Sequence, residues 1–505
     1  MAILIVNVGS TDLQVRGTHR DNGKPNNVSA SGRSDAQAIL DRYAEQTFID
    51  AYDGTVLAPD VVGWPLVSKY LQWFRDRGRR LQHVVIFGTD QPETVGSRRN
   101  GDTLIGAQVL ARLVADHGAD VVDAGGVHAA VLDVDGADRH DRCLARFQAL
   151  LPEVARAGSD RVHVAVTGGT PGANFGLLLA AQAIWGDRVE ALAAREHAPA
   201  FPLDVARQMR VAFQRQPVAD LFERGQFATA AEIVRSWNDD RFVPLALTAE
   251  AIRLWLDQAH DEALAHTNEA TIHAGPHGWP SVNEILHDLM ADLQARRGEA
   301  PVSRETELRR LTDVYWNADL CFRQERHVDF VARMALILER AIRCLIEEAI
   351  NCKVPESQNA RKREEFEKAL TDYGLSRTEG RGLDYVAFVK IAKDIAPNHC
   401  TFGEDVADRA KRITEHADAL DRLRQLRNES VVGHRLEAVT PLRVAMYVDD
   451  GLKKVFPNNG DPRGVDGVQA ALRAILGGVG HEPTGSNLFL TYGERLARAL
   501  LDIPL

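Results

Sequence analysis

Residues 162–174 read VHVAVTGGTPGAN and join an apolar run to a glycine-rich turn and the start of a helix. The run from Val162 to Thr167 has the β-branched, uninterrupted character of a buried strand in a parallel sheet. Thr170 suits a helix N-cap and Pro171 suits the first helical position, so free N–H groups would point at an anion above them. The stretch predicts a strand, a ligand-accessible loop and a helix, although a plain helix cap would satisfy the same residues.

The same alternation runs through the first 195 residues. Further strands are predicted at Ile3 to Val8, His83 to Phe87 and Asp120 to Val122, with a weaker one at Val189 to Ala193, and helices at Asp35 to Tyr52, Pro65 to Arg77, Thr103 to His117 and Gly172 to Ile184. Strands that alternate with helices are typical of a parallel sheet covered on both faces. We therefore predict a Rossmann-like α/β domain over residues 1–198.

The remainder of the chain has a helical pattern. Residues 199–300 are predicted as a helical connector and residues 301–505 as an all-helical domain, separated by the Arg296-Arg297-Gly298 region. Apolar residues from Met334 to Ala349 recur at three- and four-residue steps, which indicates one buried stripe on a long helix. Further helices are predicted at Arg361 to Tyr373, Tyr385 to Ala396, Glu404 to Arg427, Pro441 to Phe456 and Val468 to Ile475.

The amino-acid composition limits the classes of function that the protein can have. The 505 residues are 45% hydrophobic and 26% charged, with a net charge of −11, so the chain is a folded protein without a global basic field for nucleic acid. Its five cysteines show no zinc spacing, and no apolar run approaches a membrane span. We expect a cytoplasmic protein with reduced thiols, no bound metal and no membrane partner.

Ligands of open parallel sheets bind at the carboxyl ends of the strands. Three loops there are small and polar, and their candidate ligand-binding residues are Gly9, Ser10, Thr11 and Asp12, then Thr89, Asp90 and Gln91, then Gly168, Gly169, Thr170 and Asn174. The chain contains neither the G-x-G-x-x-G fingerprint nor a G-x-x-x-x-G-K-[ST] loop. This absence disfavours NAD binding and P-loop nucleotide hydrolysis.

A second candidate site lies near the end of a long helical pattern, where Arg427-Asn428 precedes His434. In a continuous helix, residues seven apart fall on one face. With 50 arginines and 17 histidines, such a spacing arises by chance about once or twice, and Arg253–His260 and Arg409–His416 also show it. Only Arg427–His434 has Asn directly after the Arg, and requiring that Asn lowers the number of such pairs expected by chance to about 0.06. A guanidinium and an imidazole beside a phosphodiester can stabilise a phosphorane and move a proton, so RNA cleavage needs no metal.

These residues resemble a known family. Arg427-Asn428-x5-His434 is similar to the signature of HEPN ribonucleases, and the three loops are similar to the ligand loops of CARF domains. The combination resembles the CARF–HEPN effectors of type III CRISPR antiviral defence over roughly residues 1–195 and 305–455. The resemblance implies a homodimer that binds a cyclic oligoadenylate on the three loops and responds by cleaving single-stranded RNA with Arg427, Asn428 and His434. It implies an allosteric activator and no cofactor.

Two alternatives remain open from the sequence. The α/β domain could degrade its cyclic oligoadenylate, with Ser10 or Thr11 supplying a hydroxyl, or the protein could be a non-enzymatic ligand-gated binding module. A cluster of histidines from His260 to His287 could suggest a metal, but its spacing matches no ligand motif, so we expect solvent-facing or capping residues. Ring size and RNA preference are not predicted.

Overall fold

The computed structural model describes residues 2–9, 12–21, 24–29, 37, 47–49, 61–94, 102–155, 160–195, 198–275, 279–297, 303–355, 360–375, 385–429, 439–456 and 464–504. These residues form two compact units, which span residues 1–214 and 215–504. Within the described ranges, no helix combines the length and the apolar character that crossing a bilayer requires.

The first unit is built on a six-stranded sheet. Its strands are β1 (Ala2–Asn7), β6 (His83–Thr89), β7 (Val127–Leu132), β8 (Arg161–Ala165), β9 (Val189–Arg195) and β10 (Ala198–Leu203). The order across the sheet is β10-β9-β8-β1-β6-β7, and every pairing is parallel except that of β9 with β10. The central position of β1 explains why all six of its residues are buried.

In the described part of the first unit, four helices cover this sheet. They are α1 (Val67–Arg75), α2 (Leu104–His117), α3 (His140–Ala155) and α4 (Pro171–Trp185). One apolar core contains Tyr70 of α1 and Leu110 of α2 with alternate residues of β1, and the other contains Phe147 of α3 and Leu177 of α4 with the intervening residues of β1. The helices therefore lie on both faces of the sheet, as the predicted fold class requires.

A second, four-stranded sheet is inserted between β1 and α1. Its strands are β2 (Gln14–Asp21), β3 (Lys24–Ser29), β4 (Thr47–Ile49) and β5 (Val61–Gly63), in the order β3-β2-β5-β4. This sheet was not predicted from the sequence, and the helix predicted at Asp35 to Tyr52 is wrong where β4 lies. The β-branched and aromatic side chains of that segment instead favour pairing with β5.

One strand prediction and one helix prediction are also corrected. Asp120 to Val122 forms only a single bridge, from Val122 to Leu81, and the strand follows after the turn at Gly125 as β7. The segment after Ala198, predicted as helical, starts with β10, an edge strand that tolerates Pro199 and Pro202 because its outer side needs no partner.

The second unit is helical, and one helix, α5, crosses from the first unit into it. The helices are α5 (Val205–Glu223), α6 (Phe227–Ser236), α7 (Val243–Leu256), α8 (His260–Ala274), α9 (Pro280–Arg296), α10 (Arg304–Arg323), α11 (His327–Ile350), α12 (Ala360–Asp372), α13 (Tyr385–Ile395), α14 (His399–Phe402), α15 (Glu404–Glu429), α16 (Pro441–Val455), α17 (Gly464–Gly478) and α18 (Leu488–Asp502). The predicted fold class, α/β followed by all-α, is confirmed. The three-domain division at residues 198 and 300 stays a prediction.

Candidate functional site

The carboxyl ends of β1 and β8 mark the crevice of the first unit. These strands are neighbours, yet the chain after β1 continues to α1 on one face and the chain after β8 continues to α4 on the other. A crevice opens where neighbouring strands send their connections to opposite faces, and ligands of open α/β sheets bind there. Two of the three predicted ligand loops therefore meet at the favoured position.

Backbone atoms of these two loops are in direct contact. Gly168 and Gly169 have φ values of +99° and +58°, which L-residues with a side chain rarely adopt. A Cβ atom on Gly9 would lie 2.4 Å from the backbone nitrogen of Gly169. The glycines that the sequence singled out are thus required by the close approach of the two loops.

A pair of amide side chains joins the same loops. Asn7 Nδ2 donates to Asn174 Oδ1 at 3.2 Å, and Asn174 Nδ2 donates to the carbonyl oxygen of Val166 at 3.0 Å and to that of Gly168. Asn7 is completely buried at the end of β1. The sequence analysis did not include Asn7 among the site residues, although a polar residue that ends a buried strand is a usable signal.

The Asp12 side chain forms a hydrogen bond within the loop that follows β1. Its Oδ2 accepts from the Gly9 backbone N–H at 2.8 Å, and the residue is fully buried. Burial raises the pKa of its carboxyl group to about 7, against a lowering by the Gly9 N–H. Burial, together with the charge of Asp12, also raises the pKa of Tyr70, whose hydroxyl donates to the Thr167 carbonyl at 3.5 Å.

The loop after β6 is held by its own polar side chains. The hydroxyl groups of Thr89 and Thr103 lie 3.3 Å apart, and Thr103 Oγ1 donates to the Val8 carbonyl at 3.2 Å. Gln91 Nε2 donates to Asp102 Oδ1 at 3.1 Å, and both of these residues are buried. The polar groups of Thr89 and Gln91 thus fix the loop beside β1.

A fourth loop reaches the same edge of the sheet. Thr170 caps α4 by accepting from the Ala173 N–H at 3.2 Å, and its hydroxyl donates to the carbonyl oxygen of Ala137, in the segment that follows β7. Sequence reasoning missed this segment because it placed the third strand at Asp120 to Val122. The predicted N-cap role of Thr170 is confirmed.

The predicted ligand residues are therefore partly brought together. Gly9, Asp12, Gly168, Gly169 and Asn174 lie together at the carboxyl ends of β1 and β8, and Thr170 lies beside them at the start of α4. Thr89 ends the neighbouring strand β6, and Asp90 and Gln91 follow it; the Asp90 N–H donates to the Leu132 carbonyl. Ser10 and Thr11 lie outside the described residues.

The predicted nuclease motif is only partly described. Arg427 and Asn428 lie in the last turn of α15, which the sequence predicted as a helix from Glu404. His434 lies outside the described residues. The expectation that Arg427 and His434 share one helix face stays a prediction.

Two of the three other Arg–His pairs of the same spacing have structural roles, and Arg156 of the third, Arg156–His163, lies outside the described residues. Arg253 pairs with Glu250 at 2.6 Å, and His260 is buried, which lowers its pKa to about 4 together with the charges of Arg310 and Arg296. In the second pair, Arg409 binds Glu348 at 2.6 Å and the His416 ring packs edge-on against Phe456. These contacts account for both pairs without a catalytic role.

The prediction for the histidines from His260 to His287 is corrected at one residue. His287 is exposed as expected, but His260 is buried at the start of α8 rather than facing solvent. In the described part of the chain, no three His, Cys, Asp or Glu side chains come together as a potential metal site.

Comparisons with known proteins were made for the sequence and for the fold. No family model matches the sequence, and no curated protein matches it significantly. Among solved structures, the chain is similar to Enterococcus italicus Csm6 bound to cyclic hexa-2'-fluoro-hexa-dAMP. The two chains share 13% sequence identity at a TM-score of 0.46, and the match covers 99% of this chain and 100% of that chain.

Proposed function

We propose that this protein is a metal-independent endoribonuclease that cleaves single-stranded RNA when a cyclic oligoadenylate binds its first unit. The observation that carries the proposal is the Arg427-Asn428-x5-His434 motif, which begins in the last turn of the helix α15. The β1–β8 crevice, with its glycine loops and the N-terminus of α4, supports the ligand-binding half.

Each residue of the motif has a distinct role in the proposed mechanism. His434 acts as general base toward the ribose 2'-OH or as general acid toward the leaving 5' oxygen. Arg427 stabilises the negative charge of the phosphorane, and Asn428 orients the phosphate or a partner side chain. The 2'-OH attacks the phosphorus and the bond to the 5' oxygen breaks, which leaves a 2',3'-cyclic phosphate.

The proposed site is shared between two copies of the chain. One Arg and one His supply few donors for a phosphorane, whereas two copies across a two-fold axis double them. Cleavage then depends on the geometry of the dimer. A cyclic oligoadenylate activates it only if the ligand binds the cleavage-competent arrangement more tightly than the resting one.

The proposal is tested by cleavage of a fluorogenic single-stranded RNA in EDTA, with and without cyclic tetra-adenylate or cyclic hexa-adenylate. We expect ligand-dependent cleavage that Arg427→Ala and His434→Ala each abolish. Arg253→Ala is the matched control, because Arg253 has the same spacing to a histidine but pairs with Glu250 and Asp257.

Each contrary outcome favours a different function. Loss of the cyclic ligand without RNA cleavage would favour a ring-degrading enzyme, and ligand binding without either reaction would favour a binding module. Cleavage that survives in both the Arg427→Ala and His434→Ala variants, or that requires added divalent metal, would overturn the mechanism.

A further inference from the structure

The described candidate residues after β1 and β8 are Gly9, Asp12, Gly168, Gly169, Thr170 and Asn174, and none of them is a cation. Backbone N–H groups are therefore important donors for an anion there. N–H groups of Gly-rich loops and of helix N-termini are fixed donors for anions, but only while the backbone keeps its conformation. What holds the Gly168–Gly169 backbone in place therefore decides how well the site binds.

The side chain of Asn7 is in the position to hold it. A Cβ atom on Gly169 would lie 1.9 Å from Asn7 Nδ2 and 2.8 Å from Asn7 Cγ, so the loop backbone rests directly on this amide. Asn7 Nδ2 also donates to Asn174 Oδ1. Asn174 Nδ2 donates in turn to the carbonyl oxygens of Val166 and Gly168. One chain of hydrogen bonds thus runs from β1 to both ends of the turn before α4.

Asn7 itself cannot bind a ligand in this structure, because it exposes 0% of its surface. Its amide is nevertheless hard to replace. A carboxylate at position 7 would face Asn174 Oδ1 with no donor between them. Rotating the Asn174 amide would restore that contact only by turning Oδ1 toward the carbonyls of Val166 and Gly168, so a hydrogen bond is lost in either orientation.

We propose that Asn7 is a positioning residue of the cyclic-oligoadenylate site, which holds the Gly168–Gly169 backbone through Asn174 without touching the ligand. This inference rests on the proposed function and adds to it the residue that sets ligand affinity. The side chain acts on the affinity for the ligand and leaves the chemistry of RNA cleavage unchanged.

The test compares Asn7→Asp with wild type in the RNA-cleavage assay, titrated with cyclic tetra-adenylate and cyclic hexa-adenylate. We expect the half-activating concentration to rise about tenfold, as for the loss of one buried hydrogen bond, while the cleavage rate at saturation stays the same. Amide hydrogen exchange of a peptide spanning residues 166–176 should accelerate in the ligand-free variant. Gln72→Glu is the control, because it also places a carboxylate where an amide donates, to Asp76, but at an exposed contact in the last turn of α1.

The outcomes separate the two proposals. A wild type that no cyclic oligoadenylate activates overturns the proposed function, and the inference with it. An activated wild type with unchanged half-activation and unchanged exchange in Asn7→Asp overturns the positioning role alone. If Asn7→Asp fails to fold by circular dichroism, Asn174→Asp removes the donor to Val166 and Gly168 and should give the same rise in half-activating concentration. An unchanged value in that variant would also contradict the inference.

Discussion

At the scale of single residues, Asp12 combines complete burial with an ionisable side chain. Its pKa of about 7 in the folded protein lies well above the ordinary value of 3.8, because burial disfavours the charged form. Between these two values the folded state binds more protons than the unfolded state does. The free energy of unfolding contributed by Asp12 is therefore fully present below about pH 4 and is lost as the pH rises to about 7.

Asp12→Asn should remove this pH dependence. We expect the stability of the variant relative to wild type to increase by at most about 1.4 kcal/mol per pH unit between pH 4 and 7, and to level off above pH 7 to 8. Urea unfolding of both proteins at a series of pH values measures the difference, in which all other titrating groups cancel. A difference that is flat with pH would show that the carboxyl group is ionised in the fold throughout.

The residues that were recognisable from sequence are those with a backbone requirement. Gly168 and Gly169 stood out because a glycine pair after a buried strand has few other uses, and the structure gives both positive φ. Asn7 was overlooked because its role depends on Asn174, 167 positions away, and no local pattern reveals that pairing. The geometry of Ser10, Thr11 and His434 stays a prediction.

At the scale of elements, a buried ion pair links the helices of the second unit. Arg296 of α9 donates to Asp313 of α10 at 2.7 Å, and Trp255 of α7 donates to the same carboxylate at 2.8 Å. Tyr492 of α18 donates at 2.7 Å to Asp292, which also accepts from Arg296. Burial raises the pKa of Asp313 and Arg296 opposes that rise, so the arginine keeps the buried carboxylate paired.

Arg296→Met should destabilise the second unit strongly. Removing one partner leaves the carboxyl group of Asp313 buried without its counter-charge, which costs about 3–5 kcal/mol. Arg297→Met at the next position is the control, because Arg297 and Asp261 are largely exposed and such a pair contributes about 1 kcal/mol or less. Denaturant unfolding measures both, and an equal effect of the two substitutions would contradict the structural role of the pair.

Helices were predictable from the sequence where one face is apolar and the other is not. In α11, Met334, Leu338, Ile342 and Leu345 are buried at the predicted steps. The edge strand β7 was missed because most of its side chains reach solvent and its apolar run, Ala129 to Leu132, is short. Val121 and Val122 gave the opposite error, since both are buried although they belong to no strand. A run of apolar residues indicates that a segment is buried, and a buried segment is a strand only where it lies inside the sheet.

At the scale of the whole molecule, the chain divides at residue 214 into two units with different core types. The first has a sheet between two helical layers, and the second packs helices on one another. The fold class was predictable from the sequence because alternating strands and helices stop near residue 200. Compact units with their own cores can unfold in separate steps, and a single unfolding free energy then does not describe the chain.

A cyclic oligoadenylate should therefore stabilise the unfolding step of the unit that binds it more than that of the other unit. Ligand at 100 times its dissociation constant adds about 2.7 kcal/mol to the unit that binds it, which by the proposed function is residues 1–214. Hydrogen exchange measured along a denaturant series assigns each step to its peptides, with a linear oligoadenylate of equal length as the control. Because the crevice lies wholly within the first unit, protection that arises first in peptides of residues 215–504 would place the ligand elsewhere and contradict the assignment of the crevice.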